Sequence, residues 1–98
     1  MKQHIFNQFL INVCKHSGLS KKDIFKSTKS RDVVFARQTL IYICVKRKMS
    51  MAMVKKYMEK NGSTLPRSSM DYAYKIMDEL ASSDPDYKEI LKKLSIID

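Results

Sequence analysis

From about Asp32 to Lys48 the chain runs without a glycine or a proline, through the segment VVFARQTLIYICVKRK. Wound as a helix, this segment is apolar on most of its circumference, through Val33, Val34, Ala36, Leu40, Ile41, Ile43, Cys44 and Val45. Its β-branched richness would also suit a buried strand, but a run of this length favours a helix. A helix apolar nearly all round has to be covered by others, so the expected fold is a bundle built around it. With 98 residues there is room for one small domain and a compact, regular core.

The flanking sequence supplies the covering helices. Ile5, Phe6, Phe9, Leu10, Val13 and Cys14 form one apolar stripe, and Gly18 is a natural stop. Ser20 with Asp23 reads as a capping box for a short helix that buries Ile24 and Phe25. KSTKSR, residues 26–31, has no apolar anchor and reads as a loop. Ser50 caps a helix with Met51, Val54, Tyr57 and Met58 inward, ended by Asn61 and Gly62 in a left-handed turn. Pro66 can occupy the first turn of a helix running to about Ala81, with Met70, Ala73, Met77 and Leu80 facing in. Asp84 and Pro85 open the last helix, which buries Tyr87, Ile90, Leu91 and Leu94. The expectation is an all-α bundle of five or six helices forming one domain over residues 1–98.

Charge is concentrated in the middle of the chain. Residues 21–60 carry twelve Lys/Arg against three acids, which accounts for the whole net charge of +9. A polyanion is the expected partner of so cationic a surface. No apolar run approaches a membrane span, and the first residues are too polar for a signal peptide, so a cytoplasmic protein is expected. Cys14 and Cys44 fall within apolar stripes and read as core thiols rather than a disulfide.

Several chemistries lack their residues. Gly18 and Gly62 are the only glycines and belong to no phosphate-cradling loop. His4, Cys14 and His16 are the only local candidates for a metal and lack ligand spacing, and the histidines have no nucleophile or carboxylate partner in sequence. The acids near the C-terminus read as surface and cap groups. A non-enzymatic protein without cofactor or metal is therefore expected.

What is present has the layout of a helix-turn-helix, residues 50–60 and 66–81 joined by a turn that contains glycine. The second helix opens with PRSSMDY, offering Arg67, Ser68, Ser69 and Tyr72. A helix N-terminus with hydroxyls and an arginine can meet phosphate oxygens and base edges together. Ser68 can equally serve as a cap, with Asp71 completing the box. Arg37 falls between Val33, Ile41 and Cys44 on the helical wheel, inside the apolar arc. Its guanidinium has to snorkel past the helix start or face an anion. With Lys29 and Arg31 it would form a cationic ridge suited to phosphates. Lys46, Arg47 and Lys48 fit a last helical turn, where cations complement the macrodipole.

KSTKSRDVVFARQTLIYI, SMAMVKKYM and PRSSMDYAYKI together resemble the C-terminal DNA-binding domain of the bacterial replication initiator DnaA, over roughly residues 5–94. FARQTLIY is the most specific part: Arg37 and Gln38 match the family's arginine and glutamine, and Lys29 stands where the family has a minor-groove arginine. The family's Asp-His-Thr-Thr becomes Pro66, Arg67, Ser68 and Ser69 here, and its tight glycine turn becomes the longer KNGSTL. The resemblance implies a DnaA C-terminal-like (Trp-repressor-like) helix-turn-helix at about 50–82 and binding of double-stranded DNA in replication initiation or its regulation. It implies DNA contacts at Lys29, Arg31, Arg37, Gln38, Ser50, Arg67, Ser68, Ser69 and Tyr72. The family's ATPase module is not in this sequence, so melting an origin unaided is not expected. The other reading is an adaptor that uses the same fold to engage an acidic replication or regulatory protein, its methionines forming an adaptable groove.

Overall fold

The computed structural model describes residues 2–26 and 30–96, and among these it contains six helices. They are α1 (Lys2–Ser17), α2 (Lys21–Ile24), α3 (Arg31–Lys46), α4 (Met51–Lys60), α5 (Arg67–Ser83) and α6 (Pro85–Leu94). α3 packs against each of the other five, as its apolar circumference requires. Leu40, Ile41 and Cys44 are fully enclosed, and Val33, Ala36, Tyr42 and Ile43 nearly so. Enclosing each large aliphatic side chain contributes about 1.5–3 kcal/mol, so truncating Leu40 would cost about 2–5 kcal/mol once its cavity is counted. Phe6, Phe9, Leu10 and Val13 of α1, Ile24 and Phe25 at the end of α2, Met49 ahead of α4, Val54 and Met58 of α4, Met70, Ala73 and Met77 of α5, and Tyr87, Leu91 and Leu94 of α6 complete the core. Cys44 is buried within it and Cys14 half-buried beside it, both as free thiols.

Local chemistry sets most of the boundaries. Ser20 and Asp23 form the expected reciprocal capping box on α2. Ser50 Oγ accepts from Met53 N at the start of α4, and Asp84 accepts from Asp86 N and Tyr87 N at the start of α6. Asp84 is also the C-cap of α5, so α5 and α6 are joined through this single residue.

α3 starts at Arg31 and stops at Lys46, two residues short of the sequence expectation. Met49 N donates to Cys44 O and Lys48 N to Val45 O, the paired bonds of a Schellman ending, with Met49 buried behind them. The left-handed position in that motif is Lys48, at φ 74°, where a glycine is usual. α4 ends in the same way around Gly62 at φ 93°, Ser63 N donating to Met58 O and Gly62 N to Glu59 O.

α5 begins at Arg67 and runs two residues past its expected end, to Ser83. Pro66 is its N-cap, in extended backbone, rather than a residue of its first turn. The alternative cap, Ser68 with Asp71, does not form, because Ser68 is already helical and the Asp71 carboxylate accepts from Arg67 Nε at 3.3 Å. No helix among the described residues is long and apolar enough to cross a membrane.

Candidate nucleic-acid interface

The α4–α5 connection is held by α4 and by its own side chains. Lys55 Nζ donates to Leu65 O and pairs with Glu59, Asn61 Nδ2 donates to Tyr57 O, and Ser63 Oγ accepts from Leu65 N. These bonds fix where α5 starts relative to α4 without a glycine-rich turn. Sequence reading missed Lys55, whose partner is a carbonyl ten residues away that no spacing rule picks out.

The first turn of α5 carries no acid, and its proline N-cap has no side-chain acceptor, so the leading amides are not closed by the chain's own side chains. α2, α4 and α6 are instead capped by Ser20, Ser50 and Asp84. α5 thus presents the positive end of its macrodipole together with the exposed Arg67 and Ser68 and the half-buried Ser69. Tyr72, one turn on, is 61% exposed, the most exposed large hydrophobic side chain among the described residues.

Five of the expected site residues meet in one surface depression. Arg37 and Gln38 of α3, with Val34, form one wall, and Ser68, Ser69 and Tyr72 of α5, with Leu65 and Ala73, form the other. The half-buried Gln38 amide has no hydrogen-bond partner among the described residues, so it can serve a ligand as donor or acceptor.

Arg37 departs from expectation in what it meets. Its side chain is 8% exposed, and its guanidinium neither snorkels to solvent nor waits for an anion. Nε donates to Ile24 O at 2.9 Å and Nη2 to Lys26 O at 2.7 Å. The last carbonyl of α2 lacks an intrahelical donor, and the guanidinium fork supplies one to it and another to Lys26 O just beyond. Burial pulls its pKa below the ordinary arginine value, with no carboxylate opposing the shift. Arg37 therefore ties the exit of α2 to α3 while its side chain forms part of the wall of the depression.

Arg31, unlike Arg37, is not part of that depression. Six residues before Arg37, it lies about 120° away around α3. It lines a separate hollow between α1, α3 and α6 with Asp32, Phe35, His16 and Ile90. Phe35 is 42% exposed there and packs edge-on against Tyr87, a position that the apolar pattern alone assigned to neither core nor surface. The ridge expected of Arg31 and Arg37 is thus split over two faces, and Lys29 lies outside the described residues.

Ser50 caps α4 and opens onto another cationic face, with Lys56 and Lys60 of α4 and Gln3 of α1. Lys60 Nζ stands 3.5 Å from Gln3 Oε1 and over the Tyr57 ring. Sequence reading passed over these lysines, although the 50, 53, 56, 57, 60 spacing marks one helix face.

A family model described as bacterial DnaA protein helix-turn-helix matches residues 8–68. The chain belongs to this family. The match runs from within α1 through α4 and the following turn and ends in the first turn of α5. No curated protein and no solved structure matches the chain.

Proposed function

We propose that this chain binds double-stranded DNA with sequence preference, without catalysing a reaction, in replication initiation or its control. Membership of the DnaA helix-turn-helix family supports DNA binding tied to replication. The observation that carries the sequence-reading role is the open, acid-free first turn of α5, flanked by Gln38 and Tyr72 in one depression.

In this reading α5 enters the major groove by its N-terminal turn, where Arg67, Ser68, Ser69 and Tyr72 meet base edges and the nearest phosphates. Gln38 reaches the same edge from α3. Ser50, Lys56 and Lys60 face backbone phosphates, which fix register without reading sequence. Lys29 and Arg31 reach a flanking minor groove or backbone, and Arg37 holds the platform from which the loop before α3 departs. One copy binds modestly, so tight control needs a second copy, a tandem site or another replication protein.

Selection of bound duplexes from a random pool, followed by fluorescence anisotropy at two salt concentrations, tests this. A consensus should emerge, and neutralising about five phosphates gives a log K against log salt slope near −4.5. Arg67→Ala should weaken consensus binding roughly tenfold or more and flatten the preference. Weak, sequence-blind binding unaffected by Arg67→Ala would instead favour an adaptor for an acidic protein.

A further inference from the structure

We propose that Arg67 and Asp71 act as a guanine-reading pair, Arg67 contacting the base and Asp71 aiming it. The inference rests on the duplex-binding reading and deepens it. The two residues stand four apart on α5, which puts them on the same helix face, and Arg67 Nε donates to Asp71 Oδ1 at 3.3 Å. Both are more than half exposed, so the pair contributes almost nothing to folding, which leaves open a functional reason for it.

Geometry supplies that reason. A guanidinium has five N–H donors in a planar fork, and the bond to Asp71 occupies the one on Nε. The two terminal nitrogens are then left as parallel, forward-facing donors. That is the arrangement that two acceptors on one base edge require, and guanine offers them in the major groove as O6 and N7. Adenine shows an acceptor beside a donor and would repel one limb of the fork. A free arginine side chain has about 2 kcal/mol of rotamer entropy to lose, and tethering Nε removes part of that loss before the base arrives.

The carboxylate also acts by repulsion. Placed beside a phosphate, Asp71 would weaken binding, so register shifts that bring it against the backbone are disfavoured and the base-facing register is selected. Asp71 is thus a positioning residue, and its influence should appear in discrimination more than in affinity.

The test uses the selected consensus duplex, resynthesised with 7-deazaguanine at each guanine in turn, which removes the N7 acceptor alone. Anisotropy is measured for the full chain, Arg67→Ala, Asp71→Ala and Asp71→Asn, all of which should fold normally because the pair is exposed. At one guanine the unmodified protein should lose roughly tenfold in affinity, while Arg67→Ala should be indifferent to the change. Asp71→Ala should shrink the guanine to 7-deazaguanine ratio without weakening binding to the 7-deazaguanine duplex. Asp71→Asn keeps an acceptor oxygen and should recover part of the ratio. A sharp consensus in which no guanine couples to Arg67 would overturn the pair and leave the duplex reading standing. An unchanged ratio in Asp71→Ala would overturn the aiming role, and the absence of any consensus would remove the duplex reading itself.

Discussion

Arg37 Nε lies 2.9 Å from the carbonyl oxygen of Ile24, so a cation on the central helix closes the end of the short helix before it. The same guanidinium reaches Lys26 O, beside the first residues of the connection to α3. An arginine that looks from sequence like a ligand for phosphate is, in the fold, the clamp on which the α2–α3 corner is built.

Replacing Arg37 should therefore act on folding first. Arg37→Met keeps much of the stem but leaves the buried Ile24 carbonyl without its donor, an expected loss of about 2–3 kcal/mol in chemical denaturation. Arg37→Lys retains charge but cannot span both carbonyls and should recover less than half of that. DNA affinity should fall with either change, while the salt slope stays at its original value. A slope reduced by about one would mean that Arg37 contacts a phosphate after all.

The helices were legible in sequence and their partners were not. The apolar stripes of α1, α4, α5 and α6 and the nearly continuous apolar surface of α3 follow from side-chain period alone. Ser20, Ser50 and Asp84 announced their helix starts because a cap and its amide lie within three residues. Arg37 with Ile24, Lys55 with Leu65 and Tyr42 with Asp78 join residues ten or more apart, and local pattern carries no information about them. At the candidate site, PRSSMDY correctly marked a helix start. The alternative Ser68–Asp71 box does not form because Pro66 starts the helix earlier and puts Asp71 within reach of Arg67 instead. Arg31 and Arg37 were grouped by sequence proximity, whereas the turn of α3 carries them to different faces.

The end of α3 is the clearest case of a hidden stop signal, and it makes a prediction of its own. Lys48 occupies a left-handed position at φ 74° that disfavours a residue with a β-carbon by about 1–2 kcal/mol. Lys48→Gly relieves that strain but adds freedom to the unfolded chain, so a net gain of about 1 kcal/mol or slightly less is expected. In a domain of this size the midpoint of thermal unfolding should rise by several degrees. Lys48→Ala keeps the β-carbon and should show no such gain.

Beneath the hollow that Phe35 borders, Thr39 Oγ1 and Tyr87 OH lie 2.9 Å apart, and the Tyr87 hydroxyl stands 3.0 Å from Met77 Sδ. Three helices, α3, α5 and α6, thus share one buried polar contact. Tyr87→Phe and Thr39→Val should each cost about 1–2 kcal/mol, because each leaves a buried hydroxyl with a poorer partner. The double variant should cost less than the two added together, since replacing both groups leaves neither stranded. A double-mutant cycle by urea denaturation reads this directly, and strict additivity would show that the two hydroxyls do not interact.

High pH should expose the core's dependence on protonated groups. Burial pushes the Cys44 thiol up from its ordinary 9.0, and Tyr42 and Tyr87 up from 10.0; Tyr42 is raised further by its hydrogen bond to Asp78. In each case the folded state keeps a proton that the unfolded chain gives up at the ordinary value. Below pH 9 both states hold these protons and stability does not respond to them. Above it the unfolded state binds fewer, and stability falls as pH rises, first through Cys44 and then, from about pH 10, through the two tyrosines as well. Denaturation midpoints measured between pH 8 and 10.5 should decline from near pH 9. Cys44→Ala, although less stable overall, should show a shallower decline between pH 9 and 10, the remainder coming from the half-buried Cys14, whose thiol burial also raises. An equal decline in Cys44→Ala would mean that the Cys44 thiolate is tolerated inside the fold, which a fully enclosed site should not permit.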